Sequence, residues 1–101
     1  MNQAQNTQNT VVVTRHTALV DLLIERGIVA QGVEVVSHAS VEVVKGKHVI
    51  GILPNFLAAH ALSLTEIPLS LTPEMRGKEL SLEELRQCAG QAVTYKVTKL
   101  E

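Results

Sequence analysis

Arg15 and His16 stand side by side directly after a short β-branched run, Val11-Val12-Val13-Thr14. The pair joins a permanent cation with a fork of N–H donors to an imidazole that can take or give a proton near neutral pH. That combination suits a small anion, with Arg15 making bidentate contacts to phosphate oxygens and His16, at a helix N-terminus that disfavours imidazolium, ready to accept a proton. Arg76 would add a second bidentate contact, and Ser70 a hydroxyl near a strand end. Thr17, Asn55 and Thr72 each open a helical segment, where unpaired backbone N–H groups favour an anion. Structural roles compete with these readings. Arg15 or Arg76 could be salt-bridged to Asp21 or Glu79, His16 could be an exposed cap, and Ser70 a satisfied buried hydroxyl. His38 follows a strand without a partner motif, and His48 and His60 read as structural or solvated. Cys88 lies on the apolar stripe Leu82-Leu85-Cys88-Ala89 and reads as core. No His, Asp, Glu or Cys spacing makes a metal site, and there is no Gly-rich phosphate loop or nucleophile elbow, so neither metal nor cofactor is expected.

These residues need strands to end beside one another. Residues 11–14 read as a strand buried on both faces, and a helical pattern follows over 18–26, with Thr17 as N-cap and Gly27 as C′ residue. Val33-Glu34-Val35-Val36-Ser37 and His48-Val49-Ile50-Gly51-Ile52-Leu53 read as the next two strands, and the stretch between them leaves a helix undecided. Asn55 caps a helix over 56–62, and residues 67–71 read as a fourth strand with Pro68 at its edge or end. Thr72-Pro73-Glu74 predicts one helical turn closing at Gly77. Ser81-Leu82-Glu83-Glu84 is a capping box opening a helix that stops near Gly90. Residues 92–98 alternate Val93, Tyr95 and Val97 against Thr94, Lys96 and Thr98, which predicts a last strand with one wet face.

Strands alternating with helices predict an α/β fold: a single Rossmann-like domain over 11–101, mostly parallel, with about five strands and three helices. Residues 1–10, rich in Asn and Gln, read as a disordered polar leader. In such sheets ligands bind beyond the carboxyl ends of the strands, where strand order reverses. A 2-1-3-4 order would bring Arg15 and His16 beside Asn55.

At 101 residues, one domain is expected, and 46% hydrophobic content supplies a core. Nine Lys and Arg against ten Asp and Glu leave a net charge of −1, without the basic field that long nucleic acid requires. Two aromatic residues, Phe56 and Tyr95, make no stacking platform. A single cysteine, short apolar runs and a start without basic residues point to the cytoplasm, with no membrane span.

Three groups then coincide in order: Val12-Val13-Thr14-Arg15-His16, Val49-Ile50-Gly51-Ile52-Leu53-Pro54, and Leu69-Ser70-Leu71 with Pro73, Arg76-Gly77 and Glu79-Leu80-Ser81. With them the chain resembles the small type III CRISPR-associated ring nucleases, stand-alone relatives of CRISPR-associated Rossmann-fold sensor domains, from Val11 to Val97. The resemblance implies degradation of cyclic tetra-adenylate, the messenger that activates ancillary nucleases in type III CRISPR defence. It places Arg15 and His16 at a first loop, Pro54 and Asn55 at a second, and Ser70, Arg76 and Glu79 around a third, and Thr14, Thr17 and Thr72, at strand ends and helix starts, join them as candidate ligand-binding residues. Each ribose 2′-hydroxyl would attack its adjacent phosphorus in line, leaving a 2′,3′-cyclic phosphate without a metal. His16 would move the proton, Arg15 would steady the phosphorane, and a homodimer would match the ring's symmetry. This chain departs from the family pattern at Thr17-Ala18, where Pro-Gly is common, at Leu22, where a Trp is common, and at Ile52, where a threonine is usual. Two other readings stay open: a module that binds the messenger without cutting it, and a structural subunit in which Arg15 and His16 only cap a helix.

Overall fold

The computed structural model describes residues 9–100. Hydrophobic alternation along the strands builds three layers. β1 (Thr10–Val13), β2 (Glu34–Val36), β3 (His48–Gly51), β4 (Ser63–Glu66) and β5 (Val93–Tyr95) form one sheet in the order β2-β1-β3-β4-β5. The first four strands are parallel and β5 runs antiparallel along the outside of β4. Successive residues of β1 and β3 serve opposite faces. Val11 and Val49 pack with Val44, Leu57 and Leu64 under α2 (Val41–Val44) and α3 (Asn55–Ala58), while Val12 and Ile50 pack with Leu23, Val29 and Val33 under α1 (Thr17–Glu25). Burying each such side chain contributes about 1.5–3 kcal/mol. A third cluster, Leu22, Leu80, Leu85 and Cys88, joins α1 to α4 (Leu82–Cys88), so Cys88 is core, as its place on the apolar stripe predicts.

The sheet is α/β and mostly parallel as expected, with four helices where three were predicted. The extra one, α2, is a single turn in the undecided stretch, and Ser40 caps it by accepting from the Val43 N–H at 3.3 Å. The capping box holds: Ser81 Oγ accepts from Glu84 N and Glu84 Oε1 from Ser81 N. Gly27 takes the left-handed conformation predicted for it, at φ 74°.

The fourth strand lies earlier than predicted, at Ser63–Glu66 instead of residues 67–71. Its β3-facing edge pairs His48 with Ser63 and Ile50 with Thr65, and its outer edge is covered by β5, with Thr65 Oγ1 bonded to Thr94 Oγ1 at 2.8 Å. Residues 68–70 instead run against the end of α4, where Gly90 N donates to Pro68 O and Ser70 N to Cys88 O. Pro68 lacks the N–H that a ladder there needs. The last strand is shorter than predicted, and neither face of it is buried: Val93 and Tyr95 are both exposed. It is an edge strand with all three residues exposed, so alternation alone does not create a dry face. The predicted leader's residues 1–8 lie outside the described residues, and Thr10 already belongs to β1.

Candidate functional site

The parallel strands all point their carboxyl ends to one edge, and the chain winds to either side of β1, so the order reverses between β1 and β3. A cleft of about 480 Å³ opens there. Thr14, Arg15 and His16 enter it from β1, Ser37 from β2, Gly51 and Ile52 from β3, and Ile67 and Leu69 from beyond β4. Its floor depends on one glycine. Gly51 sits at φ 146°, and a Cβ built on it would lie 2.5 Å from the Val13 carbonyl oxygen. Only glycine lets β3 pass so close to β1 at the point where the cleft begins.

The turn that aims Arg15 and His16 is local. Thr14 Oγ1 accepts from the His16 N–H at 3.1 Å, and the chain enters α1 directly afterwards. His16, rather than Thr17, is therefore the N-cap, and its side chain makes no capping bond. Arg15 and His16 are both exposed, and among the described residues neither side chain has a hydrogen-bond or ion-pair partner. The competing surface bridges from Arg15 or Arg76 to Asp21 or Glu79 do not form among the described residues. Arg15 is thus a free guanidinium at the mouth of a cleft that begins at a helix N-terminus.

A second cleft of about 410 Å³ adjoins the first and shares His16, Leu19 and Leu69 with it. Its walls are Leu71, Met75, Leu80 and Leu85, and its rim carries Lys78 and Glu79. Lys78 is held by Glu84 at 2.9 Å, which depresses the Glu84 pKa, the Lys78 hydrogen bond being the main cause. Glu79 has no such partner among the described residues.

The structure gathers Thr14, Arg15 and His16 in the first cleft and Glu79 beside His16 in the second. Thr17, Pro54, Ser70, Thr72 and Arg76 line neither. Asn55 lines a separate cleft with Phe56, His60 and Val97 and is not among the residues lining the cleft of Arg15 and His16. It is also not a cap: Pro54 holds that position, and Asn55 is already the first helical residue. The helical starts at Asn55 and Thr72 open segments of four and three residues, too short to add much dipole, which leaves α1 as the one sizeable anion-binding helix end of the expected three. Ser70, expected at the end of a strand, is instead tied through its backbone to α4. Ser37 and Leu71 enter the clefts from the strand-end segments Ser37-His38 and Ser70-Leu71-Thr72 that the sequence also marks, whereas nothing in the sequence marked Leu69 or Met75 for the clefts. Ile52, 81% exposed at the lip, is a large apolar side chain presented to the same cleft as Arg15 and His16.

Among the described residues no group of three or more His, Cys, Asp or Glu side chains converges as a metal site, and no helix is long and apolar enough to cross a membrane. A family model described as "Putative CRISPR-associated protein (Cas_VVA1548)" matches residues 11–98. The match covers the stretch that carries the sequence resemblance and takes in every residue of both clefts. Neither the curated proteins nor the solved structures gave a match.

Proposed function

The chain belongs to this CRISPR-associated family, and from that premise we propose that it is a ring nuclease that opens cyclic tetra-adenylate and so switches off the ancillary nucleases of type III CRISPR defence. The observation that carries the reading is the pair Arg15 and His16, unpartnered and adjacent, on the wall of the cleft at the strand switch point. An RNA ring brings its own nucleophile. The 2′-hydroxyl attacks the neighbouring phosphorus, the 5′-oxygen leaves, and the products are a 2′,3′-cyclic phosphate and a 5′-hydroxyl. The protein then has to hold sugar and phosphate in line and offset the charge of the phosphorane. Arg15 meets the phosphate oxygens, His16 exchanges a proton with the attacking or leaving oxygen, and the first N–H groups of α1 face the same anion.

A cleft of about 480 Å³ falls within the range of drug-sized ligand sites, which four linked nucleotides exceed. We therefore assign the working form as a homodimer in which two copies of the cleft share one ring, a twofold arrangement suited to its symmetry. The binding-only alternative has an observation in its favour: among the described residues Arg15 and His16 are the only ionisable side chains lining the first cleft, and of the two only His16 exchanges a proton near neutral pH. Incubating the protein with cyclic tetra-adenylate in chelator and separating the products by chromatography decides between them. Linear products ending in a 2′,3′-cyclic phosphate support the nuclease. A ring retained intact but bound supports sequestration, and activity that needs a divalent ion contradicts the metal-independent route.

A further inference from the structure

Both clefts have largely apolar walls and share His16, Leu19 and Leu69. The first adds Arg15, Thr14 and Ser37 to Ile50, Ile52 and Ile67, whereas the second has Leu71, Met75, Leu80 and Leu85 with Lys78 and Glu79 at its rim. A ligand anchored by phosphate on Arg15 can therefore pass His16 and lay a flat apolar group against the leucines without leaving the protein surface. The volume, about 410 Å³, accommodates a purine with room to spare. A methionine thioether in the wall is a favourable neighbour for an aromatic ring. Beside His16, the rim offers Lys78, one of whose N–H groups goes to Glu84, and the Glu79 carboxylate, an acceptor only and without an ion-pair partner among the described residues. An occupant matching this cleft carries an N–H donor on its edge.

We propose that the second cleft is a purine-base subsite, with Glu79 as a specificity-determining residue that accepts from the exocyclic amine of adenine. The assignment rests on the ring-nuclease reading and extends it from the phosphate to the base. The amine is held by a charged acceptor and the ring by apolar walls, so removing the amine leaves stacking intact and a carboxylate without its donor.

The test measures dissociation constants for cyclic tetra-adenylate and for the same ring built from purine riboside, which lacks the amine, on the full chain and on Glu79→Ala and Glu79→Gln. Glu79 is exposed, so both variants keep the fold. The full chain should bind the adenylate ring at least about tenfold more tightly. Glu79→Ala should bring the two rings within about twofold, and Glu79→Gln, which keeps an acceptor oxygen, should restore part of the difference. Equal binding of the two rings by the full chain, or a preference that survives Glu79→Ala, overturns the subsite alone. Failure to bind either ring overturns the ring-nuclease reading together with it.

Discussion

At the carboxyl end of α1, Glu25 receives Arg86 from α4 at 2.7–3.2 Å through both carboxylate oxygens, and Arg26 donates to the Gly90 and Ala89 carbonyls at 2.6 and 3.2 Å. At the amino end of the same helix, Arg15 and His16 have no side-chain partner among the described residues, and the cap position carries no capping bond. Both ends are exposed and both present an arginine. The carboxyl end uses its arginines to join two helices across the third core cluster, while the amino end leaves its arginine and its imidazole unspent over a cleft. An arginine between a carboxylate and a helix end is accounted for by the fold. One without partners at a strand switch point is available to a ligand, and this contrast separates structural from functional arginines more sharply than exposure does.

The comparison breaks first at His16. If it moves a proton, His16→Ala lowers the single-turnover rate on cyclic tetra-adenylate by about 10²–10⁴-fold and leaves the dissociation constant within a few-fold. A variant that cuts at the parental rate removes His16 from the chemistry. Arg15→Ala should weaken ring binding by about tenfold to a hundredfold, seen by titration, with Tm unchanged because no partner in the fold is lost. Gly51→Ala acts on the fold beneath both residues. The new methyl meets the Val13 carbonyl oxygen in a backbone conformation that disfavours it, costing about 1–3 kcal/mol, and calorimetry should show the lower Tm. Arg86→Ala reverses the Arg15 pattern: Tm falls modestly, less so in high salt, and ring binding is unaffected.

The smallest effect is on pH. The Arg86 hydrogen bond holds the Glu25 carboxyl below its ordinary value of 4.5, and the Lys78 hydrogen bond does the same for Glu84. A lowered folded value means the stabilisation is complete above 4.5 and is lost as pH falls through the depressed values. Tm should therefore decline on acidification below 4.5, and Arg86→Ala should flatten part of that decline.

Much of the fold was legible because its signals were local or strongly apolar. Val11 and Val12 in the first run, and Val49 and Ile50 in the stretch after His48, put a buried residue on each face, and both segments read as strands. Ser81 and Glu84 announce a helix start through bonds made within four residues. The fourth strand was not legible in the same way, because Ser63-Leu64-Thr65-Glu66 has one apolar residue and owes its place to β3 and β5 on either side. Ile67-Pro68-Leu69-Ser70-Leu71 looks more strand-like, yet its contacts go to α4 and to the cleft walls. That shift moved Ser70 out of the expected site and Leu69 into it. Arg15 and His16 were readable from a strand end followed by a helix. That Asn55 lines a different cleft from them is a matter of tertiary packing, which no local pattern states.

The central claim is that the ring's own 2′-hydroxyl is the nucleophile at the amino end of α1. It is tested most directly by single-turnover reactions in chelator on cyclic tetra-adenylate and on its 2′-deoxy counterpart. The account predicts that the ribose ring opens to 2′,3′-cyclic phosphate ends, while the deoxy ring binds and stays closed. A ribose ring left intact, or a deoxy ring opened at a comparable rate, contradicts it.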